Sequence, residues 1–149
     1  MSLRDTDRKV RKGASFSRQV ESFARATKER ANEVVRKTAL GLLANVVESS
    51  PVDTGRFRGN WQVGIGARPS GTTETEDKDG SGVVTAAASQ LEAAKLGDTV
   101  YLTNNLPYAR RLEFGHSAQA PRGMVRVTIA NLREILGEAV KGAKEGGGT

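Results

Sequence analysis

Two clusters in this sequence hold residue types that could do chemistry. Asp53-Thr54-Gly55 is the triplet with which dimeric aspartic proteases pair two carboxylates, one per chain, so that like charges split the two pKa values. In those enzymes the triplet follows an apolar strand and precedes an alanine, which leaves the carboxylate in a protected loop. Here it follows Ser50-Pro51 and precedes Arg56-Phe57-Arg58. Two arginines so close would hold Asp53 ionised, whereas a dyad must share a proton, and the chain reads as too helical for an all-β protease. The triplet is therefore predicted to be a turn. Asp53 would accept local backbone hydrogen bonds, and Gly55 would take a conformation that other residues resist. The second cluster is Glu113-Phe114-Gly115-His116-Ser117. A triad, however, is assembled in space around a nucleophile on a strained elbow such as G-x-S-x-G, and no such elbow is present. Nothing fixes the geometry of a metal site built from Asp53, Glu113 and His116, and His116 reads as a solvent-facing loop residue. No catalytic residue, cofactor or metal is expected.

Composition narrows the classes further. The chain has 149 residues, which suits one domain large enough for a real core. It has no cysteine, which removes disulfides, thiolate metal sites and a cysteine nucleophile, and one histidine, which cannot build a multi-histidine site. No apolar stretch approaches a membrane span, and the first residues lack the apolar segment of a signal peptide, so a soluble, intracellular protein is expected. Lys and Arg number 23 against 17 Asp and Glu, a net charge of +6. Residues 1–14 form a basic segment (Arg4, Arg8, Lys9, Arg11, Lys12) that reads either as a solubilising flexible arm or as a sequence-blind contact to phosphates. The latter would make the protein a sequence-independent nucleic-acid binder, although no recognition helix or aromatic platform accompanies the arm. Arg110-Arg111 beside Glu113 reads as an inter-subunit ion pair or as a solvated face.

These residues need elements to position them. Phe16, Val20, Phe23, Thr27, Ala31, Val34, Thr38, Leu42 and Val46 recur at spacings of three and four, one stripe of a long helix with Ser15 as N-cap, Ser50-Pro51 as stop and Gly41 as a loosening point. A helix that overhangs its own core suggests an oligomer. Val125, Ile129, Leu132, Leu136 and Val140 mark a second helix starting near Pro121, followed by a flexible glycine-rich tail over 142–149. Trp61, Val63 and Ile65 alternate with small or polar residues, and Val100-Tyr101-Leu102-Thr103 has strand composition, so the two are predicted partners in a small antiparallel sheet. Residues 84–96 read as a short alanine-rich helix, and the acidic, glycine-rich stretch 69–82 as a mobile loop. The fold class is α+β: a single domain over 15–141, with the N-terminal and C-terminal helices packed on a small sheet. Phe57 and Trp61 are predicted core residues.

Two segments also resemble a known family. Ser50-Pro51-Val52-Asp53-Thr54-Gly55-Arg56-Phe57-Arg58-Gly59-Asn60-Trp61 is similar to a P-V-D-T-G-x-L/F-R stretch, and Asn104 to Tyr108-Ala109 with Leu112-Glu113-Phe114-Gly115 to an N-x-x-x-Y-A-x-x-L/V-E-x-G signature. Gln119 to Val125 is similar to the lead into a last helix. Both signatures belong to the small neck and tail-completion proteins of tailed phages, the minor tail component family typified by the gene-ten product of a lambda-like phage. The resemblance covers about residues 15–140. It implies a structural virion protein without catalysis, built in the host cytoplasm and placed in the neck or upper tail. It further implies a homo-oligomeric ring, hexameric by the symmetry of tail tubes, that meets the tail terminator or tube and the head connector and lets DNA pass. Pro51, Asp53, Thr54, Gly55, Asn104, Tyr108, Glu113 and Gly115 carry the motif. The basic arm, with Arg110 and Arg111, is the candidate interface or DNA-facing set.

Overall fold

A computed structural model describes the backbone of residues 3–146 and the side chains of residues 17–144. The long stripe folds into one helix, α1 (Leu3–Glu48), about 70 Å long. It begins upstream of Ser15, so Ser15 is not its N-cap, and its backbone runs through the segment expected as an arm. That stretch has no proline and is rich in arginine and lysine, whose rotamers lose little freedom in a helix. The side chains of Arg4, Arg8, Lys9, Arg11 and Lys12 lie outside the described residues. The helix stops at Glu48, just before Ser50-Pro51, as the residue before proline requires.

Beyond that stop come α2 (Arg56–Gly59) and β1 (Trp61–Ile65), then α3 (Ser81–Leu91), β2 (Val100–Asn104), α4 (Ala109–Glu113), α5 (Val125–Ala130) and α6 (Leu132–Gly146). The strands pair antiparallel as predicted, with Val63 opposite Leu102 and Ile65 opposite Val100. The α+β class is thus observed. A two-stranded sheet is marginal in isolation. Here α1 supports it from one side: Ala39, Leu43, Val46 and Val47 point at α3 and the sheet, where they meet Leu91, Ala94, Phe57 and Trp61.

The opposite face of α1 receives α5 and α6. Gly41 lies against Ile135, where an added Cβ would stand 2.7 Å from Cγ2, so this glycine sets a close helix approach rather than loosening α1. Asn45 Oδ1 accepts from Thr128 Oγ1 at 2.9 Å, and Asn131 divides the expected single helix into α5 and α6. The surface that α5 and α6 turn to α1 is therefore Thr128, Ile135, Ala139 and Ala143. The predicted stripe Val125, Ile129, Leu132, Leu136 and Val140 is exposed. Two faces of this helix are apolar, and periodicity alone cannot say which one meets the core. The expected tail also differs: α6 continues through Gly142, which rests against the Lys37 side chain, and Ala143 is buried.

The two glycines on these facing helices predict opposite signs. Gly41→Leu should force α6 away and destabilise the fold by about 1–3 kcal/mol. Gly137→Ala, with open space at its Cβ position, should stabilise it by up to about 1 kcal/mol. Urea unfolding followed by circular dichroism measures both.

Candidate functional site

The motif residues gather where α1 ends. The last carbonyls of a helix have no partner within it, and the last turn of α1 contains no basic residue. Ser50 donates to the Val46 and Val47 carbonyls, and the donor for the Glu48 carbonyl comes from Arg58 in α2. Its Nε donates to the Ser50 carbonyl (3.1 Å), Nη2 to the Glu48 carbonyl (3.0 Å) and Nη1 to the Lys78 carbonyl (2.8 Å). A planar cation thereby meets the negative end of the helix dipole and fastens the 69–82 stretch in the same grip. Ser50 adds a buried relay: its Oγ donates to the Val46 carbonyl and accepts from Trp61 Nε1 at 2.8 Å.

Gly55 stands at φ +90°, and a Cβ there would press within 2.6–2.8 Å of the Asp77–Lys78 backbone. Its carbonyl accepts from both Gly59 N–H and Asp77 N–H. Asn60, fully buried, pairs with both backbone groups of Thr73, donating to its carbonyl and accepting from its N–H. Asp77 caps α3 by accepting from the Gly80 and Val83 N–H groups. The stretch expected as a mobile loop is therefore tied to the motif, through Thr73 to Asn60 and through Asp77 to Gly55. Pro51 is half-buried, and Thr54 Oγ1 accepts from Arg56 N–H. Asp53 is exposed and accepts no hydrogen bond among the described residues, so Thr54 takes the role expected of it. Arg56 pairs with Glu74 at 3.2 Å and Arg58 with carbonyls, so neither arginine holds Asp53.

The second motif closes the junction from the other side. Asn104 Nδ2 donates to the Phe57 carbonyl and its Oδ1 accepts from Leu106 N–H. Tyr108 leans on Phe57 with centroids 6.0 Å apart and stays partly in solvent. Glu113 caps α5, accepting from the N–H groups of Met124, Val125 and Arg126 at 2.7–3.0 Å and from Arg126 Nε at 3.2 Å. Desolvation pushes its pKa upward, but the Val125, Met124 and Arg126 N–H groups and the Arg126 guanidinium together outweigh it and hold the carboxyl below its usual range. Its ionic partner within the chain is Arg126. Arg110 lies over the Phe114 ring at 5.9 Å, and Arg111 is exposed. Gly115 and Gly123, both at positive φ, carry the chain around this cap.

Asp53, Thr54, Gly55 and Tyr108 line one shallow pocket of about 300 Å³, with Phe57 and Gln119 among its other walls. Asn104, Glu113 and the exposed His116 do not line it. No group of three His, Cys, Asp or Glu among the described residues could hold a metal. Asn60, Asp77 and Gln119, whose amide bonds both backbone groups of Val52, were not assigned roles from sequence, and Arg58 was expected only to hold Asp53 ionised. The one available signal was Asp77 three residues before Gly80-Ser81, an N-terminal capping pattern. What the arrangement does chemically is to satisfy chain ends and lock crossings.

Residues 14–115 match the family described as "Bacteriophage HK97-gp10, putative tail-component". The chain belongs to this family. The match contains both motifs and ends at Gly115, short of the 119–125 stretch and of α5 and α6. No curated protein and no solved structure matches the chain.

Two variants test the junction. Arg58→Lys should cost about 1–3 kcal/mol, because an ammonium cannot reach three carbonyls in one plane. Glu113→Gln should cost about 1–2 kcal/mol at neutral pH, as a lost charged cap. Because the folded-state pKa of Glu113 is lowered, its stabilisation is full above the unfolded value near 4.5 and is lost as pH falls through the folded value. The gap between wild type and Glu113→Gln in chemical denaturation should therefore narrow below about pH 4.5.

Proposed function

We propose that this tail component is a non-catalytic tail-completion or head–tail joining protein that works as a ring at the neck or upper end of the tail tube. The observation that carries the reading is the use made of the motif. In a chain of this family, Gly55, Asn104 and Glu113 serve as turn, clasp and cap within the protein. A family signature made of such residues preserves a shape. The action is then passive: the ring closes the end of the tail tube and offers a surface that the head connector recognises. A lumen with sixfold symmetry would pass DNA without reading it, and the net charge of +6 suits that passage. Assembly in the host cytoplasm would precede placement in the virion.

The test is electron microscopy of a lysate from phage with a stop codon in this gene. The expected result is filled heads beside unjoined tails of normal length. Tails of uncontrolled length would replace joining with length termination, and intact infectious particles would overturn the neck assignment.

A further inference from the structure

Two apolar surfaces lie open on different helices of this chain. On α1 every residue from Ser17 to Arg30 is exposed, including Phe23 at 73% and Val20 at 50%. On α5 and α6, Ile129 is exposed at 62%, Leu132 at 41%, Leu136 at 43% and Val140 at 40%, in one stripe with spacing 3-4-4. Apolar surface of this extent on a helix marks a place where another element packs.

The same chain cannot bring the two together. Gly142 lies beside Lys37, Ile135 beside Gly41, and Thr128 is bonded to Asn45, so α6 runs antiparallel to α1 along residues 37–45. Phe23 stands fourteen residues beyond Lys37 on the same continuous helix, roughly 20 Å further along the axis. The packing that does exist indicates the occupant. The face of α1 that receives α6, through Lys37, Gly41 and Asn45, continues towards the N-terminus at helical spacing through Thr27 and Phe23 to Val20. The established α1–α6 interface thus extends onto a surface that nothing covers among the described residues. The lengths also agree: residues 17–30 span about 21 Å of helix and residues 125–140 about 24 Å.

We propose that a second copy of this chain supplies the cover, with the α1 overhang of one copy lying along the outer α5–α6 stripe of the next. The contact is head-to-tail. Each copy gives one surface and receives the other, both are buried at once, and a rotation that closes makes a ring. A stripe-on-stripe dimer would leave Phe23 and Val20 bare. The proposal deepens the ring reading above and rests on it for closure alone.

Sedimentation velocity of the full-length chain tests it. Wild type should associate, and Phe23→Glu and Leu136→Glu should each be monomeric with unchanged circular dichroism, since both positions are already exposed. An equimolar mixture of the two variants retains one intact overhang and one intact stripe, so it should give a heterodimer and nothing larger. The sequence has no cysteine. A short thiol-to-thiol linker should therefore join Phe23→Cys to Leu136→Cys between chains. A monomeric wild type, association that survives Phe23→Glu but not Leu136→Glu, or a mixture that stays monomeric would each overturn the contact. A monomeric wild type would leave the lysate phenotype untouched, so the two readings fail separately.

Discussion

A helix of 46 residues ends with carbonyl oxygens that have no partner within it; Ser50 donates to those of Val46 and Val47, and the last, that of Glu48, is satisfied by Arg58. Much else follows from that placement. For the guanidinium to reach back to Glu48 and Ser50, the chain must reverse within a few residues, and Gly55 at positive φ makes that reversal. Reversal brings Phe57 and Trp61 under α1, where Trp61 Nε1 finds Ser50 Oγ. The third donor of Arg58 reaches Lys78, which fixes the 69–82 stretch and, through Asp77, the start of α3. The sheet is small, but its position relative to α1 is set by charge-assisted hydrogen bonds, which tolerate less misalignment than apolar contact does.

The strands were legible in sequence because alternation at Trp61, Val63 and Ile65 has one geometric meaning. The long helix was legible for the same reason, although its start was not: lysines and arginines continue a helix as readily as they make a free arm. The 69–82 stretch misled through composition. Thr73, Asp77 and Gly80 are residues that loops favour, and here they are also the partners of Asn60, Gly55 and α3. A polar residue in a one-dimensional sequence does not show whether its partner is water or another part of the chain. Asn60 and Gln119 make the point twice. Each pairs with both backbone groups of a distant residue, as a strand neighbour would, and neither belongs to a pattern that spacing could reveal.

The candidate site shows how chemistry-bearing residues can be recruited to architecture. A carboxylate that accepts three backbone N–H groups is held in its charged form and positioned with care, as a catalytic carboxylate would be, yet in Glu113 the beneficiary is the first turn of α5. In the sequence, Arg110-Arg111 beside Glu113 read either as an inter-subunit ion pair or as a solvated face, with no partner for Glu113 fixed within the chain. The structure pairs it with Arg126, thirteen residues on, because α5 must start where Glu113 can cap it. The intrachain partner of Glu113 lay outside any pattern that spacing could reveal, while the choice of residue types in the motif was informative.

The helix that lies on α1 holds it with small and polar groups: Gly41 admits Ile135, Thr128 bonds to Asn45, and Ala139 and Ala143 fill the seam. Apart from Ile135, its large aliphatic side chains (Leu132, Leu136 and Val140) stand on the outer face instead. A chain that folded only for itself would gain more by turning Leu132, Leu136 and Val140 inward, at roughly 1.5–3 kcal/mol for each side chain fully buried. The arrangement makes sense when two needs are separated. Close backbone approach through small residues fixes the position of α6 without large apolar area, and the area left outside remains for an association that also covers the overhang of α1. On the ring reading, α6 is held on one face within its own chain and offers the other to a neighbour. Arg58 holds the far end of α1 to the sheet, so on the proposed contact the overhang that a neighbour would grip is continuous with the element that organises the whole fold.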